Sequence, residues 1–196
     1  MRKSLLFVWA CMGLVCLVSA CKTSVKSKEW KLVWVENFDQ KNSFDESVWT
    51  KIPRGTSDWN NYMSYYDSCY AMQDGNLILR GIANHTQKND TAPYLTGGVY
   101  TKGKKLFTGG RVEIRAKLQA AKGAWPAIWM LPEKAEWPKG GEIDIMERLN
   151  HDHIAYQTTH SYYTHILGIK DNPPHGGINK INPEEYNIYS VDIYPD

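Results

Sequence analysis

Residues 111–118, "RVEIRAKL", alternate without a break. Val112, Ile114, Ala116 and Leu118 fall on one side, and Arg111, Glu113, Arg115 and Lys117 on the other. Strict period-two spacing fits a strand with one face in a core and one in water, and it does not fit a helix. Shorter stretches carry the same signal: "WKLVWVENF" (30–38), "NLILRGIA" (76–83) after the turn pair Asp74-Gly75, "HIAYQTTHSYY" (153–163) and "YNIYSVDIYP" (186–195). "WPAIWML" (125–131) reads as a strand because Pro126 argues against a helix. "TGGVYTKGKKLFTGG" (96–110) splits at its glycines into short strand-like pieces. No segment carries a long helical repeat. Short strands between Gly, Pro, Asn and Asp turns predict an all-β sandwich.

The chain is long enough for a single domain with a core, since 42% of its 196 residues are hydrophobic. Eight Trp and twelve Tyr stand against four Phe, an aromatic set suited to surfaces that are half apolar and half wet.

The first residues read as a leader. Arg2 and Lys3 precede an apolar run, 5–18, too short for an ordinary spanning helix, and "LVSAC" (17–21) follows. This stretch resembles a bacterial lipobox, in which Cys21 would be lipidated and become the new N-terminus. A plain signal peptide with an incidental cysteine, and so a secreted protein, is the alternative. The expected organisation is a leader at 1–20, a polar tether at 21–29 and one domain at 30–196. Arg2 and Lys3 account for the whole formal charge of +2, so nothing argues for a nucleic-acid partner. Cys11 and Cys16 lie in the leader, which leaves Cys69 alone in the domain with no internal disulfide expected. Asn84-His85-Thr86 and Asn89-Asp90-Thr91 match the glycosylation pattern and read as chance matches beside a bacterial-type leader.

"GEIDIMERLN" (141–150) sets Glu142, Asp144 and Glu147 among Ile143, Ile145 and Met146. On a regular strand Glu142 and Asp144 point one way, and Glu147 would join the isoleucines in the core. A buried unpaired carboxylate is costly. One extra residue near Met146, a β-bulge, returns Glu147 to the acid face, and bulges recur beside active sites. The two glutamates would then lie roughly 13 Å apart between α-carbons, at ~3.3 Å per residue, and their carboxyls meet only if the side chains lean together over a concave sheet. A retaining glycosidase needs such a pair about 5–5.5 Å apart. Asp144, between them, would hydrogen-bond one and influence both. Crowded carboxylates cannot all ionise cheaply, so one should have a raised pKa.

Two other readings compete. The acids fit an ordinary solvated face equally well on spacing alone. A metal site with His151, Asp152 and His153 is less favoured, because those imidazoles lie beyond the strand in a loop. Trp125, Trp129 and Trp137 just before the acids favour a cleft, since flat rings stack on the apolar faces of sugars. Core packing is the alternative for them. Glu113 and Arg115, on the polar side of 111–118, have the groups to bind hydroxyls.

The segment "GGRVEIRAKLQAAKGAWPAIWMLPEKAEWPKGGEIDIME" resembles glycoside hydrolase family 16, most closely its laminarinase-like branch. Glu142, Asp144 and Glu147 match the family's Glu-x-Asp-x-x-Glu pattern on a bulged strand. The blocks "LVWVENFD", "DWNNYMSYY" and "DGNLILRG" fit its early strands, so the likeness runs from about residue 30 to the end. The resemblance implies a concanavalin A-like β-jelly-roll sandwich with a sugar-binding cleft. It implies retaining endo-hydrolysis of a β-glycan by a monomer, with β-1,3- or mixed-linkage glucan favoured by the "GAWPAIW" block. Glu142 would be the nucleophile, Glu147 the acid/base and Asp144 the nucleophile's partner. Asn61, Glu113, Arg115, Trp125, Trp129, Trp137 and His160 would line the cleft.

Glu36-Asn37-Phe38 departs from the Asp-Glu-Phe often found near the family's first strand, where a structural calcium is often held, so the expectation is no cofactor, with a structural calcium there as the less favoured alternative. The chain also stops at "YSVDIYPD", where family members continue with further strands. The expectation is a fragment with open sheet edges, poorly soluble and weakly active alone. Within the enzyme class, a mucin O-glycan or an agar- or carrageenan-type galactan is the alternative substrate. Outside it, the alternative is a non-catalytic glycan-binding lipoprotein.

Overall fold

The computed structural model describes residues 30–40, 42–119 and 121–194. The chain divides into Met1–Lys31 and Leu32–Asp196, and among the described residues the regular elements belong to the second unit. The leader, Cys21 and the tether lie outside the described residues.

Among the described residues, twelve strands, one short α-helix and a single 3-10 turn at Asp67–Cys69 follow in order. They are β1 (Thr50–Lys51), β2 (Tyr70–Gln73), β3 (Asn76–Leu79), β4 (Gly81–Ala83), β5 (Tyr94–Thr96), β6 (Val99–Tyr100) and β7 (Gly110–Ala116). Then come β8 (Ala127–Met130), β9 (Glu142–Glu147), β10 (Ile154–His160), α1 (Tyr162–His165), β11 (Gly176–Lys180) and β12 (Asn187–Ile193). The all-β expectation holds.

The hairpin β2–β3 turns on Asp74 and Gly75, both with positive φ (52° and 68°). That mirror-image turn matches the right-handed twist of the strands it joins. The segment 76–83 forms two strands on either side of Arg80, whose N–H donates to the Cys69 carbonyl at 2.9 Å. Cys69 is buried and free.

β8, β9, β10 and β11 form a four-stranded antiparallel sheet in the order β11-β10-β9-β8. β7 and β12 pair along their full length, with Val112 opposite Val191 and Ile114 opposite Tyr189. The apolar side of that ribbon packs on one side of the four-stranded sheet. The buried centre is Leu118, Ile145, Met146, Ala155 and Tyr189, flanked by Val112, Ile114, Ala116, Ile128, Met130, Ile143, Ile181 and Val191. Burying these side chains supplies the main favourable term, roughly 25 cal/mol per Å² of apolar surface removed from water. β7 alternates half-buried and exposed residues as its sequence predicts.

Two strand assignments are corrected. Residues 30–40 form no strand. A strand needs a neighbour's hydrogen-bond ladder, and here Phe38 bends back instead, with φ 52° and its N–H donated to Glu36 Oε1 at 2.8 Å. Leu32, Val33 and Val35 are exposed. The second correction is at the end of 153–163. β10 stops at His160, and Tyr162 and Tyr163 enter α1, whose first turn is closed by a capping box between Ser161 and Thr164.

Candidate active site

The phase conflict in "EIDIME" is resolved by a bulge. Across β8–β9, Trp129 faces Asp144 and Ile128 faces Met146, so Ile145 has no partner. Across β9–β10, Thr158 faces Asp144 and Tyr156 faces Glu147, so the register slips at the same place. Ile145 and Met146 both turn into the core, at 2% and 0% exposure. Glu147 therefore comes out on the side of Glu142 and Asp144 rather than among the isoleucines.

Residues directly opposite on paired strands share a face. Trp129 and Thr158 flank Asp144, and His160 lies opposite Glu142. Gly141, just before β9, has φ 79°, a conformation glycine adopts without strain.

Each glutamate accepts a hydrogen bond from a tryptophan. Trp125 donates its indole N–H to Glu147 Oε1 at 2.7 Å, and Trp137 donates to Glu142 Oε2 at 2.5 Å. Both rings are about half exposed, so they stand over the acids rather than in the core. The loop holding Trp125 is clamped to the end of β9. Gly123 N donates to Asn150 Oδ1 at 2.7 Å, Asn150 N to the Ala124 carbonyl at 2.9 Å and Arg148 N to the Pro126 carbonyl at 3.0 Å. The Arg148 side chain is buried on the core side and donates to the carbonyls of Asp152 and Leu118.

Asp144 is the buried member of the acid row. Burial, then the charges of Glu147 and Glu142, then a hydrogen bond with Glu142 push its pKa up to about 7. His160 Nε2 lies 3.2 Å from Asp144 Oδ2. Three carboxyls on one face, the central one with a raised pKa and hydrogen-bonded to Glu142, can do nucleophilic and proton-transfer chemistry on one ligand.

The remaining sequence candidates divide. Asn61 lies in the 57–63 turn with Trp59, whose ring meets Trp129 edge-on at 5.1 Å. Trp59 extends the aromatic wall and was not singled out by sequence, although it lies in the "DWNN" block. Glu113 and Arg115 are not brought to the acids. They lie on the side of β7 opposite the core, where Arg111 pairs with Asp192 and the Arg115 guanidinium sits 3.7 Å over the Tyr186 ring. The alternation that buries Val112 and Ile114 against β9 turns the intervening residues away from it.

Among the described residues, no group of three or more His, Cys, Asp or Glu side chains is arranged to hold a metal ion. The Glu36 region does not fit a calcium site. Its two carboxylate oxygens accept from Phe38 N and from Trp49 Nε1. Asp152 accepts from the Tyr156 hydroxyl at 2.7 Å, which ties it to β10 rather than to His151 or His153. The Asn84 amide is used inside its own loop, donating to the Asp90 and Ala92 carbonyls.

A bulged strand on a β-sandwich that lifts three acids under a tryptophan wall defines a carbohydrate-active class of protein. The family described as "XgeA-like, catalytic GH16 domain" matches residues 67–175, and the chain belongs to glycoside hydrolase family 16. It is 38% identical over 174 residues to a keratan-sulfate endo-1,4-beta-galactosidase of Sphingobacterium multivorum, covering 86% of this chain and 40% of that protein. It is 30% identical over 208 residues to a beta-glucanase of Rhodothermus marinus, covering 100% of this chain and 70% of that protein. The laminarinase catalytic domain from Thermotoga maritima superposes with a TM-score of 0.71 at 30% identity, covering 86% of this chain and 72% of that one. The β-jelly-roll expectation is thereby met.

Proposed function

We propose that this chain carries the catalytic machinery of a retaining endo-glycosidase that cleaves β-glycosidic bonds in a polysaccharide, β-1,3- or mixed-linkage glucan first. The carrying observation is the bulge at Ile145–Met146, which leaves Glu142, Asp144 and Glu147 on one face. Glu142 attacks the anomeric carbon while Glu147 protonates the departing oxygen. Glu147 then takes a proton from the water that hydrolyses the glycosyl ester, and Glu142 is released as carboxylate. Asp144, protonated up to about pH 7, donates a hydrogen bond to Glu142 and balances its charge as the ester forms and breaks. Trp125, Trp129, Trp137, Asn61 and His160 border the substrate.

A galactoside substrate is the second reading, supported by the higher identity to the Sphingobacterium protein than to the Rhodothermus one. The deciding experiment is product analysis on laminarin, lichenan, agarose, carrageenan, keratan sulfate and mucin glycans. Oligosaccharides from laminarin or lichenan with retained anomeric configuration support the glucan reading, and cleavage confined to the galactosides replaces it. Sugar binding without turnover on the whole panel leaves a glycan-binding protein.

The leader supports export with a lipid on Cys21. Fatty-acid labelling of the expressed chain that survives Cys21→Ser overturns this anchor.

A further inference from the structure

The segment following β10 makes a contact that the chemistry above does not use. His160 ends β10, Ser161 caps α1, and the turn delivers His165 back towards the acids. The His165 N–H donates to the Ser161 carbonyl at 2.9 Å, and the Ser161 hydroxyl accepts from Thr164 N at 3.1 Å, so the turn is held at both ends. The His165 ring meets the Trp137 ring edge-on at 4.5 Å between centroids, and the His160 ring at 6.1 Å.

These contacts close a circuit. Glu142 accepts from Trp137 at 2.5 Å, Trp137 rests on His165, His165 faces His160, and His160 lies 3.2 Å from Asp144. Asp144 returns to Glu142, two residues away on the same face of β9. Trp137 needs such support. It is 47% exposed and sits in a non-helical, non-strand loop before β9, so its indole has freedom to swing off the carboxylate. An edge-on aromatic neighbour restricts that freedom through ring packing.

We propose that His165 is a positioning residue: its ring holds the Trp137 indole where the N–H reaches Glu142, and so fixes the carboxylate that acts as nucleophile. This rests on the reading of Glu142 as nucleophile. His165 touches neither acid, and it is exposed, so its part is orientation and not folding. Misorientation of a reacting group lowers the rate of the chemical step more than binding.

The test uses the full chain with His165→Ala and His165→Phe, the second keeping a flat ring. Two readouts are taken: kcat and KM on the best glycan of the panel, and the ¹⁵N–¹H signal of the Trp137 indole, assigned by its loss in Trp137→Phe. His165→Ala is expected to lower kcat about tenfold with KM within about twofold, and to shift the indole signal. His165→Phe is expected to recover most of both, and the melting temperature should not move. An indole signal unmoved by His165→Ala overturns the proposal. So does an unchanged kcat in an active enzyme, or a Phe variant as impaired as the Ala variant. If the wild type turns over no glycan, the proposed activity fails, and the indole signal alone still decides whether His165 holds Trp137.

Discussion

Trp125 donates its indole N–H to Glu147 Oε1 at 2.7 Å. The ring that walls the cleft is also the group that orients the proposed acid/base. Trp125→Phe keeps the flat surface and removes the donor. The expected result is substrate affinity within about threefold of wild type with kcat lowered about fivefold, in line with a hydrogen bond of about 1 kcal/mol. Steady-state kinetics on the best glycan check it; a loss confined to KM assigns Trp125 to binding alone.

Glu147→Gln cannot give or take the proton. A drop in kcat of about 10²–10⁴-fold is expected, the range of general acid–base catalysis. It should be smaller on an aryl glycoside whose leaving group needs no protonation. Glu142→Gln should be inactive on both substrates while still binding the glycan by isothermal titration.

Asp144 gives a pH signature. Its folded pKa of about 7 lies above the unfolded value of 3.8, so folding favours the protonated form. Below about pH 4 both states are protonated and the group costs nothing. Between 4 and 7 the unfolded chain sheds its proton first, and stability falls as pH rises. Above 7 the cost is constant at about 4 kcal/mol, taking 1.36 kcal/mol per pKa unit over about three units. Asp144→Asn removes this cost. Its melting temperature should exceed that of wild type at pH 8 and converge with it near pH 4, while its activity falls because the partner of Glu142 is altered. A stability difference independent of pH would contradict the assignment.

Met146 is fully buried at the bulge, one residue before Glu147. Met146→Ala should cost about 2–5 kcal/mol in urea unfolding, as for large-to-small changes in a packed core. It should also lower kcat, because the bulge that aims Glu147 loses its anchor.

Tyr189 lies in the same core with its hydroxyl buried and unpaired among the described residues. Tyr189→Phe should leave stability unchanged or raise it by about 1–3 kcal/mol, the cost of an unsatisfied buried polar group. A clear loss would mean the hydroxyl has a partner.

Local pattern settled much of this protein. The alternation in 111–118 determined β7 and its buried face, Asp74-Gly75 determined a hairpin, and the misphased Glu147 required a bulge before any neighbour was known. These are properties of covalent geometry: a side chain's face follows from its position along a strand, and a carboxylate cannot enter a core unpaired. Other features depended on partners distant in sequence. The apolar run 30–38 has strand composition but no ladder to join. Glu113 and Arg115 have sugar-binding chemistry, yet the packing of β7 on β9 turns them to the far side of the core. Which carboxyl keeps its proton was decided by depth, because Asp144 is buried between Glu142 and Glu147, the second of which the bulge brought to it. Trp59 and His165 reach the acid row only because separate loops converge on β8 and on Trp137. Sequence spacing fixes the face a side chain takes; the burial, charge and contacts it meets there exist only once the strands have packed.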